Sequence, residues 1–92
     1  MKEHAYAVTV NWTGNTGEGT SSYTSYQRDF TVEGLGKPQI LGCADPAFRG
    51  NSNRWNPEDM LLASISACHK LWYLHLCAVN NVNVLEYVDY PV

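Results

Sequence analysis

Apolar residues along this chain follow two different periods. From His4 to Trp12 they alternate, with Tyr6, Val8, Val10 and Trp12 on one side and Ala5, Ala7, Thr9 and Asn11 on the other. That period of two predicts a strand. Thr13 to Gly19 contains Gly14, Asn15 and Gly17 and turns the chain. Thr20 to Val32, rich in Ser, Thr, Tyr and Phe, reads as a second strand antiparallel to the first, and Glu33 to Pro38 reads as another turn. Gln39 to Trp55 shows no clear period and carries Asp45-Pro46 and Gly50-Asn51-Ser52-Asn53. It reads as an irregular loop, longer than most connections and for that reason a place to look for function.

The period then changes. From Asn56 to Val79 the sequence predicts one helix of about six turns. Asn56 suits a cap, Pro57 the first helical position, and Glu58 and Asp59 the positive end of the helix dipole. The Leu- and Ala-rich body has no internal Gly or Pro, and Asn80-Asn81 can adopt the left-handed conformation that ends helices. Leu61, Ile65, Cys68 and Trp72 lie on one side, while Leu62, Leu71, Leu74 and Cys77 extend around the cylinder. A helix apolar nearly all round predicts burial by sheet or by another subunit. Ser64, Ser66, His69, Lys70 and His75 interrupt it too often for a membrane span. Beyond it, Val82, Val84, Glu86, Val88 and Tyr90 predict a further strand. The expectation is α+β: antiparallel N-terminal strands, a long central buried helix and a further strand, with residues 1–92 as one domain.

Composition narrows the function classes. The chain has 92 residues, net charge −3 and no basic run, which argues against nucleic acid. Met1 to Tyr6 lacks the apolar core of a signal peptide, so the cytoplasm is the expected compartment. Three cysteines, Cys43, Cys68 and Cys77, do not make a disulfide framework. Cys68 and Cys77 are about 13 Å apart along one helix and cannot bond within it. So short a chain buries little surface, yet its helix asks for cover on most faces; either a close homodimer or a missing part of a larger fold would resolve the mismatch.

Chemistry centres on Cys68. A cysteine in such a helix serves as a small apolar residue unless a positive charge and an access route make it a reactive thiolate. Arg28, Arg49, Arg54, His69 and Lys70 are the cations to consider, although His69 points about 100° away from Cys68. Cys68 and His75 share a face but lie about 10 Å apart, so they do not hold one metal ion. The sequence contains no phosphate-binding glycine loop and no nucleophile elbow.

The run Asn56-Pro57-Glu58-Asp59-Met60-Leu61-Leu62-Ala63-Ser64-Ile65-Ser66-Ala67-Cys68-His69 closely resembles the helix of the OsmC/Ohr family of hydroperoxide-reducing proteins. Lys70 to Ala78 and Asp45-Pro46-Ala47-Phe48-Arg49-Gly50 are similar to its OsmC-like branch. The resemblance implies an intertwined homodimer and a thiol-dependent peroxidase active in oxidative or osmotic stress defence. Its cysteine attacks the O–O bond of an organic hydroperoxide, and Cys68 matches that position. Arg28 matches the arginine that pairs with the thiolate, and Glu58 the glutamate that holds this arginine. Taken alone, Arg28 is an ordinary strand residue and Glu58 an ordinary first-turn acid. No cofactor and no metal are implied; the partners are the peroxide and an external thiol, a dithiol or lipoyl group among them.

Two further expectations follow. Glu58 and Cys68 lie about 15 Å apart on one helix, so both reach one arginine only if an antiparallel partner helix brings Glu58 of one subunit towards Cys68 of the other. Apolar neighbours such as Leu61, Ile65 and Trp72 would favour bulky organic peroxides, or serve only as packing. The family's longer members carry a second helix with a resolving cysteine, which has no counterpart before Val92; Cys43 or Cys77 would have to substitute across a dimer. Without one, the chain is a one-cysteine peroxidase, a fragment, or a non-catalytic binding or dimerisation module.

Overall fold

The computed structural model describes residues 3–92, and their contacts divide the chain into two compact units, Met1–Pro57 and Glu58–Val92. The first unit is built on a three-stranded antiparallel sheet of order β1-β2-β3, formed by Thr9–Trp12, Phe30–Glu33 and Ile40–Gly42. Val10 pairs with Val32 and Trp12 with Phe30, while Phe30 pairs on its other side with Gly42. The second unit holds one long helix, α1, spanning Pro57–Val79, followed by an irregular segment. The class is α+β, as the periods predict.

The strands are shorter than their alternation predicts, and pairing explains why. β2 runs only to Glu33, opposite Thr9, before the Gly34–Lys37 turn closes with a 3.0 Å bond and Gly36 at φ 73°. Residues 4–8 therefore have no ladder partner, and β1 begins at Thr9 instead of His4. The expected strand over Thr20–Val32 survives only from Phe30. Upstream, side chains capture the backbone: the Ser25 hydroxyl donates to Gly19 and Ser22 carbonyls and accepts from the Ser22 N–H. The Asn15 side-chain oxygen accepts from Gly17 and Gly19. Ser and Asn compete with regular ladders in this way, so a run with strand-like composition becomes a compact turn.

The region expected to be an irregular loop, Gln39 to Trp55, contains β3 and a short 3-10 helix at Pro46–Phe48. Its end returns to the sheet: Cys43 N–H donates to the Trp55 carbonyl at 2.9 Å and Trp55 N–H to the Leu41 carbonyl at 3.1 Å.

The bounds of α1 agree with the sequence expectation, because its signals are local. Glu58 and Asp59 occupy the first turn. At the other end Asn81 stands at φ 61°, Val82 N–H donates to the Cys77 carbonyl at 2.8 Å, and Asn81 N–H donates to Ala78. This is the paired 6→1 and 5→2 bonding of a Schellman stop. The strand expected over Val82–Tyr90 does not form, since it has no ladder partner among the described residues. The segment instead runs back along the helix. Ser66 Oγ donates to Asp89 at 2.6 Å and the Tyr73 and Tyr87 rings lie 5.7 Å apart. It half-covers the stripe Ser66, Lys70, Leu74 and Cys77. The opposite stripe stays open, with Leu61 63%, Ile65 60% and Trp72 63% exposed, and no α1 residue is buried within one chain. The cover that the helix was expected to have is therefore not supplied within a single copy.

Candidate active site

Arg28 stands just before β2 in the first unit, and its neighbours fix it on both sides. Gln27 N–H donates to the Gly14 carbonyl at 2.9 Å, and the Gln27 carbonyl accepts from the Trp12 indole at 2.8 Å. The Asp29 carbonyl accepts from Thr13 N–H at 2.9 Å. The close approach at Gly14 leaves no room for a side chain, since a Cβ there would collide with the Gln27 carbonyl. The guanidinium itself lies 3.9 Å from the Tyr26 ring centre and 4.5 Å from that of Tyr23. Its Nη1 donates to the Tyr26 carbonyl and its Nη2 to the Tyr23 carbonyl, both at 2.7 Å. Two ring faces and two carbonyls hold the charge in place, and the same contacts occupy part of its donor capacity.

Arg28 borders a recess of about 370 Å³ whose other walls include Trp12, Tyr26 and Phe30. Trp12 and Tyr26 meet edge to face, 5.8 Å apart at 84°. Phe30 lies against Gly42, where a Cβ would run into its ring. The aromatic walls are thus braced by hydrogen bonds and by backbone. A small apolar group with a polar end facing a cation suits such a site in size and chemistry.

Beside Arg28, Asp29 enters a cluster that no local motif announces. Its carboxylate accepts from Cys43 Sγ at 3.3 Å and meets Arg54 Nε at 3.4 Å. Cys43 is 1% exposed, and its sulfur also accepts from Asn51 N–H at 3.3 Å. A thiol so enclosed and partnered is a structural group, which removes Cys43 from the candidates for a resolving cysteine as the fold stands. Sequence reasoning missed Asp29 and Arg54 in this role, and missed Tyr23, Tyr26 and Trp12 around Arg28. The one signal for the latter is the clustering of Tyr23, Tyr26 and Arg28 within six residues.

The other two predicted residues, Glu58 and Cys68, belong to α1. Cys68 is exposed at mid-helix on the open apolar stripe, and Glu58 lies in the first turn, about 15 Å away along the axis. The helix does not bring the two together. Cys77 is half-buried beneath the returning segment. A hydrogen bond and charge interaction with Cys77 raise the pKa of the Tyr73 phenol above its ordinary value. No group of three or more metal-ligating side chains occurs among the described residues, and no helix among them is long and apolar enough to cross a membrane.

No family model and no curated protein matches this sequence. The structure, however, is similar to that of an OsmC-like protein of unknown function from Vibrio cholerae. The TM-score is 0.72 at 24% sequence identity, over 100% of this chain and 67% of that one. The correspondence takes in every element of the chain, which has the OsmC-like fold that its helix motif resembles in sequence.

Proposed function

We propose that this protein is a thiol-dependent peroxidase that reduces organic hydroperoxides, with Cys68 as nucleophile, Arg28 as its activating cation and Glu58 as the anchor of Arg28. The observation that carries the reading is the apolar, aromatic-walled recess with the braced Arg28 guanidinium at its edge. Such a recess receives the organic part of a hydroperoxide and presents its O–O group to a positive charge. Hydrogen peroxide has nothing to place there, so the reading predicts preference for bulky substrates.

In the reaction, the Cys68 thiolate attacks the terminal oxygen of ROOH and the O–O bond breaks. The alkoxide leaves and takes up a proton to become ROH, while the sulfur is oxidised to sulfenic acid. A guanidinium favours the thiolate over the thiol and stabilises charge developing on the leaving oxygen. One external thiol then condenses with the sulfenic acid, releasing water and forming a mixed disulfide, and a second thiol frees Cys68. A dithiol, such as a lipoyl group in its reduced form, supplies both and is left as a disulfide. The cytoplasm and a role in defence against oxidative stress belong to the same reading.

A symmetric homodimer completes it. Leu61, Ile65, Trp72, Leu76 and Val79 are each more than half exposed. Together they form one apolar stripe that a single copy leaves uncovered, the kind of surface that association buries. An antiparallel second copy covers this stripe and carries its Glu58 towards Cys68 of the first. The exposed stripe also favours a second reading, a non-catalytic dimerisation module. Peroxide consumption separates the two. With excess dithiothreitol, the wild type should consume cumene hydroperoxide rapidly and Cys68→Ser should not. Equal, slow consumption by both proteins would leave only the dimerisation module.

A further inference from the structure

We infer that Asp29, clamped by Cys43 and Arg54, is a positioning residue that sets the Arg28 guanidinium at the recess. The most deeply buried side chain among the described residues is the Cys43 thiol, 1% exposed. An apolar residue would fill such a place as well, so burial alone does not account for a group that makes two polar contacts there. Both contacts tie the end of the sheet to its surroundings: Sγ donates to Asp29 Oδ1 and accepts from Asn51 N–H, each at 3.3 Å.

Arg54 closes the clamp. Its Nε meets Asp29 Oδ2 at 3.4 Å, and its Nη1 reaches the carbonyls of Phe30 at 3.3 Å and Gly42 at 3.4 Å. One guanidinium thus joins the start of β2 to the end of β3. Asp29 and Arg54 are only 19% and 21% exposed, so the pair is shielded from much of the solvent that weakens surface ion pairs. With its carbonyl held by Thr13, Asp29 is pinned at three atoms, and Gln27 is pinned on the other side of Arg28. The flanking backbone therefore has little freedom to swing Arg28 away from Tyr23 and Tyr26. Preorganisation of this kind matters because a misplacement of about 1 Å can cost about 100-fold in rate.

This inference rests on the reading of Arg28 as activator of Cys68, but it makes a claim about Arg28 itself that needs no peroxide. The test uses the full chain labelled with nitrogen-15, with the Arg28 side-chain N–H signals assigned by their loss in Arg28→Lys. The wild-type signals should be displaced by the two tyrosine rings. In Asp29→Asn, which keeps the shape and loses the charge, they should move towards those of an exposed arginine. Sulfenic acid formation at Cys68 should slow about tenfold or more in the same variant. Cys43→Ser keeps a donor and should retain more of both properties than Cys43→Val. That comparison also serves if Asp29→Asn fails to fold. Wild-type Arg28 signals in Asp29→Asn, or equal behaviour of Cys43→Ser and Cys43→Val, would overturn the clamp. A clamp that passes the resonance test in a protein whose Cys68 resists peroxide would overturn only the peroxidase reading.

Discussion

Gly42 does more than end a strand. Its missing side chain lets the Phe30 ring lie against the backbone, and Phe30 is a wall of the recess. In Gly42→Ala the new methyl must displace the ring. The expected cost is about 1–3 kcal/mol by denaturant unfolding, with the ring moved from its present place in the recess wall. On the peroxidase reading, this variant should lose more rate with cumene hydroperoxide than with hydrogen peroxide. A second prediction concerns Tyr73, whose phenol is held protonated to higher pH chiefly by its hydrogen bond to Cys77. Cys77→Ala should lower that titration towards the ordinary tyrosine value in a pH series following the Tyr73 ring by carbon-13 resonance. An unchanged titration would remove Cys77 as the cause. At this scale, legibility depended on distance along the chain. Cys68, Arg28 and Glu58 were picked out by resemblance to a known helix and strand. Asp29 and Cys43, fourteen positions apart, and Arg54 further on show their partnership only once the sheet is folded.

Among elements, α1 was the most legible because every signal for it is local: a proline and two acids at the start, unbroken helix formers, asparagines at the end. Its stop can be tested directly. Asn81 adopts φ 61°, where a β-branched side chain is strained and glycine is at ease. Asn81→Val should cost about 1–2 kcal/mol and Asn81→Gly should be neutral or mildly stabilising, both read from thermal unfolding. The strands were less legible, because a strand's length is set by its partner. The alternation that starts at His4 begins well before the first residue that β2 can pair, and Ile40-Leu41-Gly42 is too short to show a period at all. Between Thr20 and Tyr26 composition misleads outright. Ser, Thr and Tyr fit a pleated surface, but hydroxyls also close turns, and here Ser25 does so three times.

For the molecule as a whole, the open stripe on α1 lies opposite the one its own C-terminal segment half-covers, and a single copy leaves Leu61, Ile65 and Trp72 more than half exposed. If a second copy supplies that cover, Ile65→Asp should convert a dimer to a monomer in light scattering, while a polar change at exposed Leu35 in the first unit should not. A monomeric wild type would contradict the dimer and leave the Glu58-to-Cys68 arrangement without support. On the peroxidase reading, everything that the Arg28 recess does is expressed as chemistry at Cys68. Its most direct test is the rate at which Cys68 forms sulfenic acid with cumene hydroperoxide and with hydrogen peroxide, in the wild type and in Arg28→Ala. A peroxidase of this kind oxidises fast, selectively with the organic peroxide and in strong dependence on Arg28. Slow oxidation by both peroxides, unchanged in Arg28→Ala, would contradict that reading.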